Sequence, residues 1–478
     1  MPGSFGKGRT MTLLSPHISN SQNEDVGRIA KIAIVGRGFS GIMTAIALLR
    51  HVEGPFHLVL FDPRPKIDIG EALRQSSTSV LTSRVRDLSV DRADPADFRR
   101  WLQEEAEDDH NRAIDTEEID DLFVPGEIFR TYVYDRFSKA LTKRIDVVIQ
   151  FLPDRVTSIE QGEGGAFSVL TDAGQNARFD AVFLCTGYGL REGSGTSAVP
   201  SGGAHRAIVI GAGIQAVDKA LTLLDGGEAS QVTLISESGF LPQSHASKAQ
   251  GSLLAAQAIP RTLRGAFRFL RQAAMSADSQ GLGWQGIMNG FRLQARELWH
   301  DLTPDERRRF KRHVQAVYDS HRNRLPPEHY QRLHRAIDEG TLAVKRGRVD
   351  RIAINGVLVS TSADFEVMAA DVVIDCRLRS AGTESALIRA IVEAGLATSD
   401  ELGIGIIVDE CGQTKDAPKS RRGLFAIGPL GLGSVPDVDL VPQIVEQSCL
   451  AAASVNAWLA DQAREPLPAK GFSPQRQT

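Results

Sequence analysis

The sequence has few cysteines and no long apolar run, and each shortage excludes a class of protein. Only four cysteines occur in 478 residues, and none forms a C-x-x-C pair. The wide spacing of the cysteines argues against a dithiol redox centre, a zinc site or a disulfide framework, and it fits a reducing cytoplasm. No apolar run reaches the roughly 18 residues that a membrane-spanning helix needs, so no membrane segment is expected.

Neither sign of charge is in large excess. The formal net charge is −4, with 24% charged and 42% hydrophobic residues, which is the composition of a globular protein. Such a balance carries no signal for nucleic acid or a membrane surface as a partner. Residues 1–27 are polar and lack the apolar core of a signal peptide, so we interpret them as a flexible tail and expect a cytoplasmic protein.

A glycine motif stands between a strand and a helix near the start of the chain. Residues 32–35 form the short apolar run that is typical of a buried parallel strand, and Gly36, Gly38 and Gly41 follow in G-x-G-x-x-G spacing. Apolar residues then recur at helical period. The first glycine permits a tight turn, the second lets backbone approach a pyrophosphate, and the third lets helix and strand pack closely.

A second apolar strand ends in Asp62, which lies 21 residues beyond Gly41. An acid at that place can bind a ribose hydroxyl, so this stretch predicts a dinucleotide-binding site. The motif alone leaves open the alternative of a glycine turn in an ordinary α/β protein.

The same pattern restarts in the middle of the chain. A strand at residues 207–210 is followed by Gly211, Gly213 and Ala216, a G-x-G-x-x-A variant, and by another helix and strand. Residues 342–376 then repeat the elements found at residues 155–185. Two copies of one dinucleotide-binding layout are the natural interpretation, and chance similarity of two α/β halves is the alternative.

The predicted fold class is therefore α/β, with two dinucleotide-binding (Rossmann-like) domains, the second inserted in the first, and a helical insertion. The expected units are a flexible tail (1–27), an FAD-binding domain (28–202 and 386–462), an NAD(P)-binding domain (203–245 and 341–385), a helical insertion (246–340) and a second tail (463–478). Two such sites suggest a fixed FAD in the first domain and an exchangeable NADH or NADPH in the second, which passes hydride to the flavin.

The chain resembles the bacterial FAD/NAD(P)-binding family that includes a flavin-dependent urate hydroxylase and aspartate-type N-monooxygenases. The resemblance covers about residues 30 to 460. It is carried by residues 32–41, 61–63, 94–95, 123–125, 209–218, 239–242, 298–324 and 424–429, with Phe98, Trp101, Leu102 and His245.

The resemblance implies which residues contact the cofactors. The implied FAD contacts are Gly36, Gly38, Ser40, Gly41, Asp62, Val156, Thr186, Gly187, Gly428 and Pro429. Gly211, Gly213 and Ala216 are the implied cradle for the pyrophosphate of the nicotinamide cofactor.

The chain departs from the family at several places. Where the family often has Ser-Arg-Arg-Gly after the second strand of the inserted half, this chain has Glu237 between two serines. An acid disfavours a 2′-phosphate and accepts from a ribose hydroxyl, so we expect NADH as the preferred partner, with NADPH possible. Residues 70–83, 376–378 and 434–439 also differ, and the first of these stretches borders the flavin by resemblance, so the substrate stays open.

His245 is the candidate catalytic side chain, because it follows a turn beside the inserted half and can face the nicotinamide or donate a proton near the flavin. A structural role is the more common one for a lone histidine. Glu71 and Arg74 are candidates for binding a polar substrate, with surface or structural roles as the alternative.

These observations predict an FAD-dependent, NAD(P)H-using monooxygenase that hydroxylates a small nitrogen compound, a purine such as urate or an amino-acid amine, with dioxygen as co-substrate. One alternative is an NAD(P)H-flavin oxidoreductase or oxidase that transfers no oxygen. A non-enzymatic FAD-binding protein is another. The sequence leaves the oligomeric state open.

Overall fold

The computed structural model describes residues 29–63, 80–108, 116–162, 165–188, 204–253, 258–353, 355–362, 364–377, 385–415 and 422–464. Glu71, Arg74 and most of the divergent stretch 70–83 lie outside these residues, as do the N-terminal tail and nearly all of the C-terminal tail.

Fifteen strands and twelve α-helices make up the described part of the chain. The strands are β1 (Ala30–Val35), β2 (Phe56–Phe61), β3 (Val148–Leu152), β4 (Val156–Gln161), β5 (Phe167–Thr171), β6 (Asn176–Phe179), β7 (Ala181–Leu184), β8 (Ala204–Ile210), β9 (Ala229–Ser236), β10 (Leu342–Arg346), β11 (Arg348–Ala353), β12 (Gly356–Ser360), β13 (Phe365–Ala369), β14 (Val372–Asp375) and β15 (Leu424–Ala426). The helices are α1 (Phe39–His51), α2 (Asp97–Asp108), α3 (Thr116–Asp121), α4 (Gly126–Thr142), α5 (Ile214–Asp225), α6 (Leu263–Ser279), α7 (Gln285–Asp301), α8 (Pro304–His313), α9 (Gln315–Arg322), α10 (Pro327–Asp338), α11 (Ala386–Glu393) and α12 (Val441–Arg464).

The first sheet has five parallel strands in the order β15-β7-β1-β2-β3. Its strands are apolar on both faces because each face is covered by another layer. Ile32 and Ile34 pack in one core with α1 and α12. Ala33 and Val35 point the other way, into a second core with the antiparallel sheet β4-β5-β6 and α11.

The second sheet has four parallel strands in the order β10-β9-β8-β14 and repeats this layering. Helices α5 and α10 cover one face, and the antiparallel sheet β11-β12-β13 covers the other. Because β8 to β14 lie between β7 and β15 in the chain, the second unit is inserted in the first. The predicted fold class is confirmed, while the exact domain limits stay a prediction.

A pair of aspartates shows how closely the two halves correspond. Asp180 precedes β7, and its carboxylate accepts a 2.8 Å hydrogen bond from the backbone N–H of Lys31 at the start of β1. Asp371 precedes β14, and its carboxylate accepts hydrogen bonds of 2.9 and 2.8 Å from the backbone N–H groups of His205 and Arg206 on β8. An aspartate at the equivalent position therefore joins the equivalent pair of strands in each half.

Helices α6 to α10 lie between β9 and β10, and α6 to α9 pack around an aromatic cluster that includes Phe267, Phe291, Phe310 and Tyr318. Helix α8 begins with a capping box, in which the Thr303 hydroxyl accepts from the Glu306 N–H and the Glu306 carboxylate accepts from the Thr303 N–H. In the described part of the chain, no helix combines the length and the apolar character that crossing a membrane requires.

Candidate functional site

The first glycine turn lies where the carboxyl end of β1 meets α1. Gly36 has φ of +98°, and a Cβ there would lie 2.4 Å from the carbonyl oxygen of Cys185. A Cβ on Gly41 would lie 2.1 Å from the carbonyl oxygen of Gly36. Side chains are therefore excluded at both positions. Gly38 precedes α1, and no described side chain caps this helix end, so its first N–H groups are available to a phosphate.

The acid expected at the end of β2 lies beside this turn. Asp62 is buried, and its carboxylate accepts a 2.9 Å hydrogen bond from the backbone N–H of Arg37. The Gly36 N–H donates to the Phe61 carbonyl oxygen at 2.8 Å, which holds the turn against the end of β2. This is the place at which a ribose would follow a pyrophosphate.

Two further segments close around the same end of the sheet. Thr186 and Gly187 follow β7, and the Thr186 hydroxyl is buried without a hydrogen-bond partner. Gly428 and Pro429 follow β15, and a Cβ on Gly428 would lie 2.4 Å from the Ser40 hydroxyl at the start of α1. A buried hydroxyl without a partner costs about 1–3 kcal/mol, which a polar atom of a bound cofactor would offset.

These features together fit FAD. The glycine turn leaves its backbone open to a pyrophosphate, and the end of α1 favours a phosphate. Asp62 can bind a ribose, and the Thr186 hydroxyl can bond to a polar atom of the cofactor. Val156 is placed differently from the rest, since its side chain is buried in the core between β4 and the first sheet. Only its backbone is available to a cofactor.

The second glycine turn repeats the first at the carboxyl end of β8. Gly211 has φ of +124°, and Gly213 precedes α5, whose first turn no described side chain caps. A Cβ on Gly211 would lie 3.4 Å from the Ala216 side chain, and no atom lies within 4 Å of one on Gly213. The turn leaves room for a phosphate against the helix end.

An arginine that the glycine motif gave no sign of lies at the strand end where Glu237 was expected to bind a ribose. Glu237 directly follows β9, and its carbonyl oxygen accepts a 3.1 Å hydrogen bond from Nε of Arg346. Arg346 ends β10, where it pairs with Ser236 of β9. The two residues are 109 positions apart in the chain, so only the strand pairing brings them together.

His245 makes two hydrogen bonds to backbone carbonyls. Its Nε2–H donates to the Thr82 carbonyl oxygen at 2.9 Å, and its backbone N–H donates to the Leu325 carbonyl oxygen at 2.9 Å. Burial, and then the nearby charge of Arg324, lower the pKa of His245 to about 3. These contacts join two loops, and the catalytic role of His245 stays a prediction.

Four charged side chains form a group that we name the arginine cluster: Arg84, Asp87, Arg292 and Arg324. They come from the segment after β2, from α7 and from the segment after α9. Burial is the largest cause of the raised pKa of Asp87, and the charges of four arginines oppose it: Arg292, Arg86, Arg84 and Arg324. The Asp87 side chain is exposed to solvent.

The arginine cluster adjoins the loop that follows Gly428 and Pro429. Asp437, in that loop, has φ of +61° and binds Arg292 at 3.4 Å on one side and Arg322 on the other. Arg322 also forms part of the lining of an apolar cavity of about 100 Å³ that lies between helices α6 to α9 and residues 402–437. No group of His, Cys, Asp and Glu side chains among the described residues is arranged to hold a metal ion.

A family comparison matches part of the chain. Residues 33–189 match the FAD-NAD(P)-binding family model. The match spans the first glycine turn, Asp62 and Gly187. A comparison with curated proteins finds no match.

Solved structures of similar fold include three amine-hydroxylating enzymes. The ornithine N-hydroxylase of Kutzneria sp. 744, a structure with reduced FAD, NADP⁺ and L-ornithine, is 16% identical, with a TM-score of 0.57 over 90% of this chain and 100% of that one. L-lysine 6-monooxygenase from Pseudomonas syringae is 16% identical, with a TM-score of 0.55 over 92% of this chain and 100% of that one. The cadaverine monooxygenase of Erwinia amylovora is 12% identical, with a TM-score of 0.52 over 95% of this chain and 100% of that one. At these identities the likeness shows a shared fold.

Proposed function

We propose that this protein is an FAD-dependent, NADPH-using monooxygenase that hydroxylates the nitrogen of a small amine. The observation that carries the proposal is the presence of two glycine turns, each at the carboxyl end of its own parallel sheet, with a helical insertion between β9 and β10. Enzymes that share this fold over nearly the whole chain hydroxylate ornithine, lysine and cadaverine. That favours an amine over a purine such as urate as the substrate.

The first site is proposed to hold FAD. The pyrophosphate lies on the turn at Gly36, Gly38 and Gly41, and Asp62 accepts from the ribose. Ser40, Thr186, Gly187, Gly428 and Pro429 line the same end of the sheet, and Val156 takes part through its backbone. When bound, FAD supplies the relay of two electrons from the nicotinamide to dioxygen.

The second site is proposed to bind NADPH on Gly211, Gly213 and Ala216. Glu237 alone favours NADH, but Arg346 lies at the same strand end and offers a guanidinium to a 2′-phosphate. The Kutzneria enzyme, which shares the fold, contains NADP⁺. The preference for NADH that the sequence analysis expected is therefore replaced by a preference for NADPH.

The overall reaction consumes the amine, dioxygen, NADPH and a proton, and it yields the hydroxylamine, water and NADP⁺. His245 is proposed to position the segment at Thr82 and to take no part in proton transfer. A cytoplasmic location supplies the NADPH, and the four free cysteines fit a reducing compartment.

The test is anaerobic mixing of the purified, FAD-loaded protein with NADPH and, separately, NADH, followed by air and candidate amines. The proposal expects NADPH to bleach the flavin faster and hydroxylamine to form in step with NADPH consumption. NADPH oxidation that yields only hydrogen peroxide with every amine would identify an oxidase instead. Protein that takes up FAD but is not reduced by either nucleotide would identify a non-enzymatic FAD-binding protein.

A further inference from the structure

The apolar cavity lies between two walls that are far apart in the chain. It measures about 100 Å³, and helices α6 to α9 form one wall, while residues between 402 and 437 form the other. Phe267 and Phe291 line the helical wall, and Leu402 and Leu432 line the opposite one. The lining includes no residue of the two glycine turns. Ligand sites are mostly apolar and occur preferentially where separate units of a fold meet, so this cavity is a candidate for a third site.

Ring contacts give the helical wall its shape. Phe267 of α6 packs against Phe291 of α7 and Phe310 of α8, with ring centres 5.6 and 5.8 Å apart. The Trp299 ring lies 5.5 Å from that of Phe310, and its Nε1–H donates to the Gly433 carbonyl oxygen at 3.0 Å. That hydrogen bond ties the helical wall to the opposite one. The rings cannot turn to fill the space without losing these contacts, so the cavity stays open.

The space is poorly suited to water and well suited to an apolar molecule. A buried water makes about three hydrogen bonds, and a lining of rings and aliphatic side chains offers few partners. An engineered apolar cavity of about 150 Å³ in another protein stays dry and binds benzene. The cavity described here has room for a molecule of roughly the size of one six-membered ring.

The charged residues in the lining have partners within the protein. Arg322 forms ion pairs with Asp437 and Asp439, the second at 2.9 Å. Its Nε lies 3.9 Å from the Asp319 carboxylate. Burial is the largest cause of the raised pKa of Tyr318, so the phenol in this wall is neutral. A charged ligand would enter this balanced group without a partner, and an unpaired buried charge is costly, so the ligand that fits is uncharged.

One hydrogen-bond donor in the lining is left over. Arg322 is 6% exposed, and its Nε makes no hydrogen bond to any described residue. A buried N–H without an acceptor is destabilising, and a ligand with an oxygen acceptor would satisfy it. The cavity therefore favours an apolar ligand that carries one such oxygen.

We propose that this cavity binds a small uncharged molecule built on one apolar ring, with a single oxygen acceptor toward Nε of Arg322. The inference goes beyond the proposed function, because a protonated amine does not match this site. The segment that forms the second wall includes Gly428 and Pro429. A ligand in the cavity thus packs against the segment that also closes the proposed FAD site.

Three ligands that differ at one ring position test the proposal: cyclohexane, tetrahydropyran and piperidinium. They place a methylene, an ether oxygen and a charged ammonium group in the same six-membered ring. Calorimetry measures their binding to the FAD-loaded protein. Tetrahydropyran is expected to bind at least as tightly as cyclohexane, although water solvates it better, because it accepts from Arg322. Piperidinium is expected to bind the cavity at least roughly tenfold more weakly than tetrahydropyran.

Two variants at lining residues locate the binding. Ala295→Leu fills the cavity from α7 and is expected to weaken tetrahydropyran binding by at least roughly tenfold. Ala316→Leu is the matched control, because Ala316 is exposed on α9 and lies outside the lining. Leu432→Phe fills the cavity from the opposite wall, and it keeps the test available where Ala295→Leu does not fold. Flavin content is measured in each variant as a check on folding.

The outcomes are separate from those of the proposed function. Tetrahydropyran binding that the two filling variants remove and Ala316→Leu keeps would support the site. No binding of cyclohexane or tetrahydropyran, or the same affinity in the parent and in both filling variants, would overturn it. Piperidinium that binds the cavity as tightly as tetrahydropyran, or tetrahydropyran that binds roughly tenfold more weakly than cyclohexane, would overturn the class of ligand. The monooxygenase is tested by flavin reduction and hydroxylamine formation, and it stands or falls without this site.

Discussion

The carbonyl oxygen of Cys185 lies 2.4 Å from the place where a Cβ on Gly36 would stand. Because the first glycine also has φ of +98°, a side chain at this position meets both a steric and a conformational barrier. The end of β7 therefore lies directly against the glycine turn, and these are two of the segments that are proposed to hold FAD.

Gly36→Val is therefore expected to yield protein with little bound flavin. The flavin content is measured as the ratio of flavin absorbance, at about 450 nm, to protein concentration. Gly54→Val is the matched control, since Gly54 also has positive φ, +72°, but no described atom lies within 4 Å of a Cβ there. The control should keep its flavin despite a similar cost in backbone strain. Stoichiometric flavin in Gly36→Val would contradict the assignment of the first site.

Thr186→Val removes a buried hydroxyl that has no partner among the described residues. We expect FAD to bind roughly tenfold more weakly, because the cofactor loses a hydrogen bond, while the apoprotein becomes as stable as the parent or more so. Thr44→Val is the comparison, because the Thr44 hydroxyl already donates to the Ser40 carbonyl oxygen at 2.8 Å. That variant should lower the stability of the apoprotein. Flavin titration and denaturant unfolding of both variants measure the two effects, and equal behaviour would refute the assignment.

Arg346→Ala is expected to raise KM for NADPH by roughly tenfold and to leave KM for NADH nearly unchanged, since only NADPH carries the 2′-phosphate. Arg348→Ala is the control, because Arg348 is exposed and already bonded to Asp350 at 2.7 Å. Steady-state kinetics with both nucleotides make the comparison. A parallel loss with NADH and NADPH would show that Arg346 does not select between them.

The partly buried His245 predicts a loss of stability in acid. Its pKa is about 3 in the folded protein against an ordinary value of 6.5, so the unfolded chain takes up a proton first as the pH falls. The free energy of unfolding is therefore unaffected by His245 above pH 6.5. Below that pH it falls by about 1.4 kcal/mol per pH unit, because of His245, until the pH nears 3. His245→Gln, which keeps a donor for the Thr82 carbonyl, should show a smaller difference in unfolding free energy between pH 7 and pH 5. The same difference in both proteins would rule out His245 as its source.

Local patterns in the sequence were enough to predict the two glycine turns and the duplicated layout. A strand, a turn and a helix that follow one another in the chain produce a recognisable pattern of apolar residues and glycines, as around Gly36 and Gly211. The repeat of residues 155–185 at residues 342–376 could be found from spacing alone. The order of the segments also predicted that one half is inserted in the other.

Only the tertiary structure decided which distant charges meet. Arg346 reaches Glu237 across 109 residues because β9 and β10 pair, and this changes the expected nucleotide. The hydrogen bond from His245 to Thr82 spans 163 residues and depends on the fold in the same way. Asp87, Arg292 and Arg324 belong to three separate segments, and no periodicity in any of them indicates the other two. Burial and charge act through space, so these neighbours are known only from the folded chain.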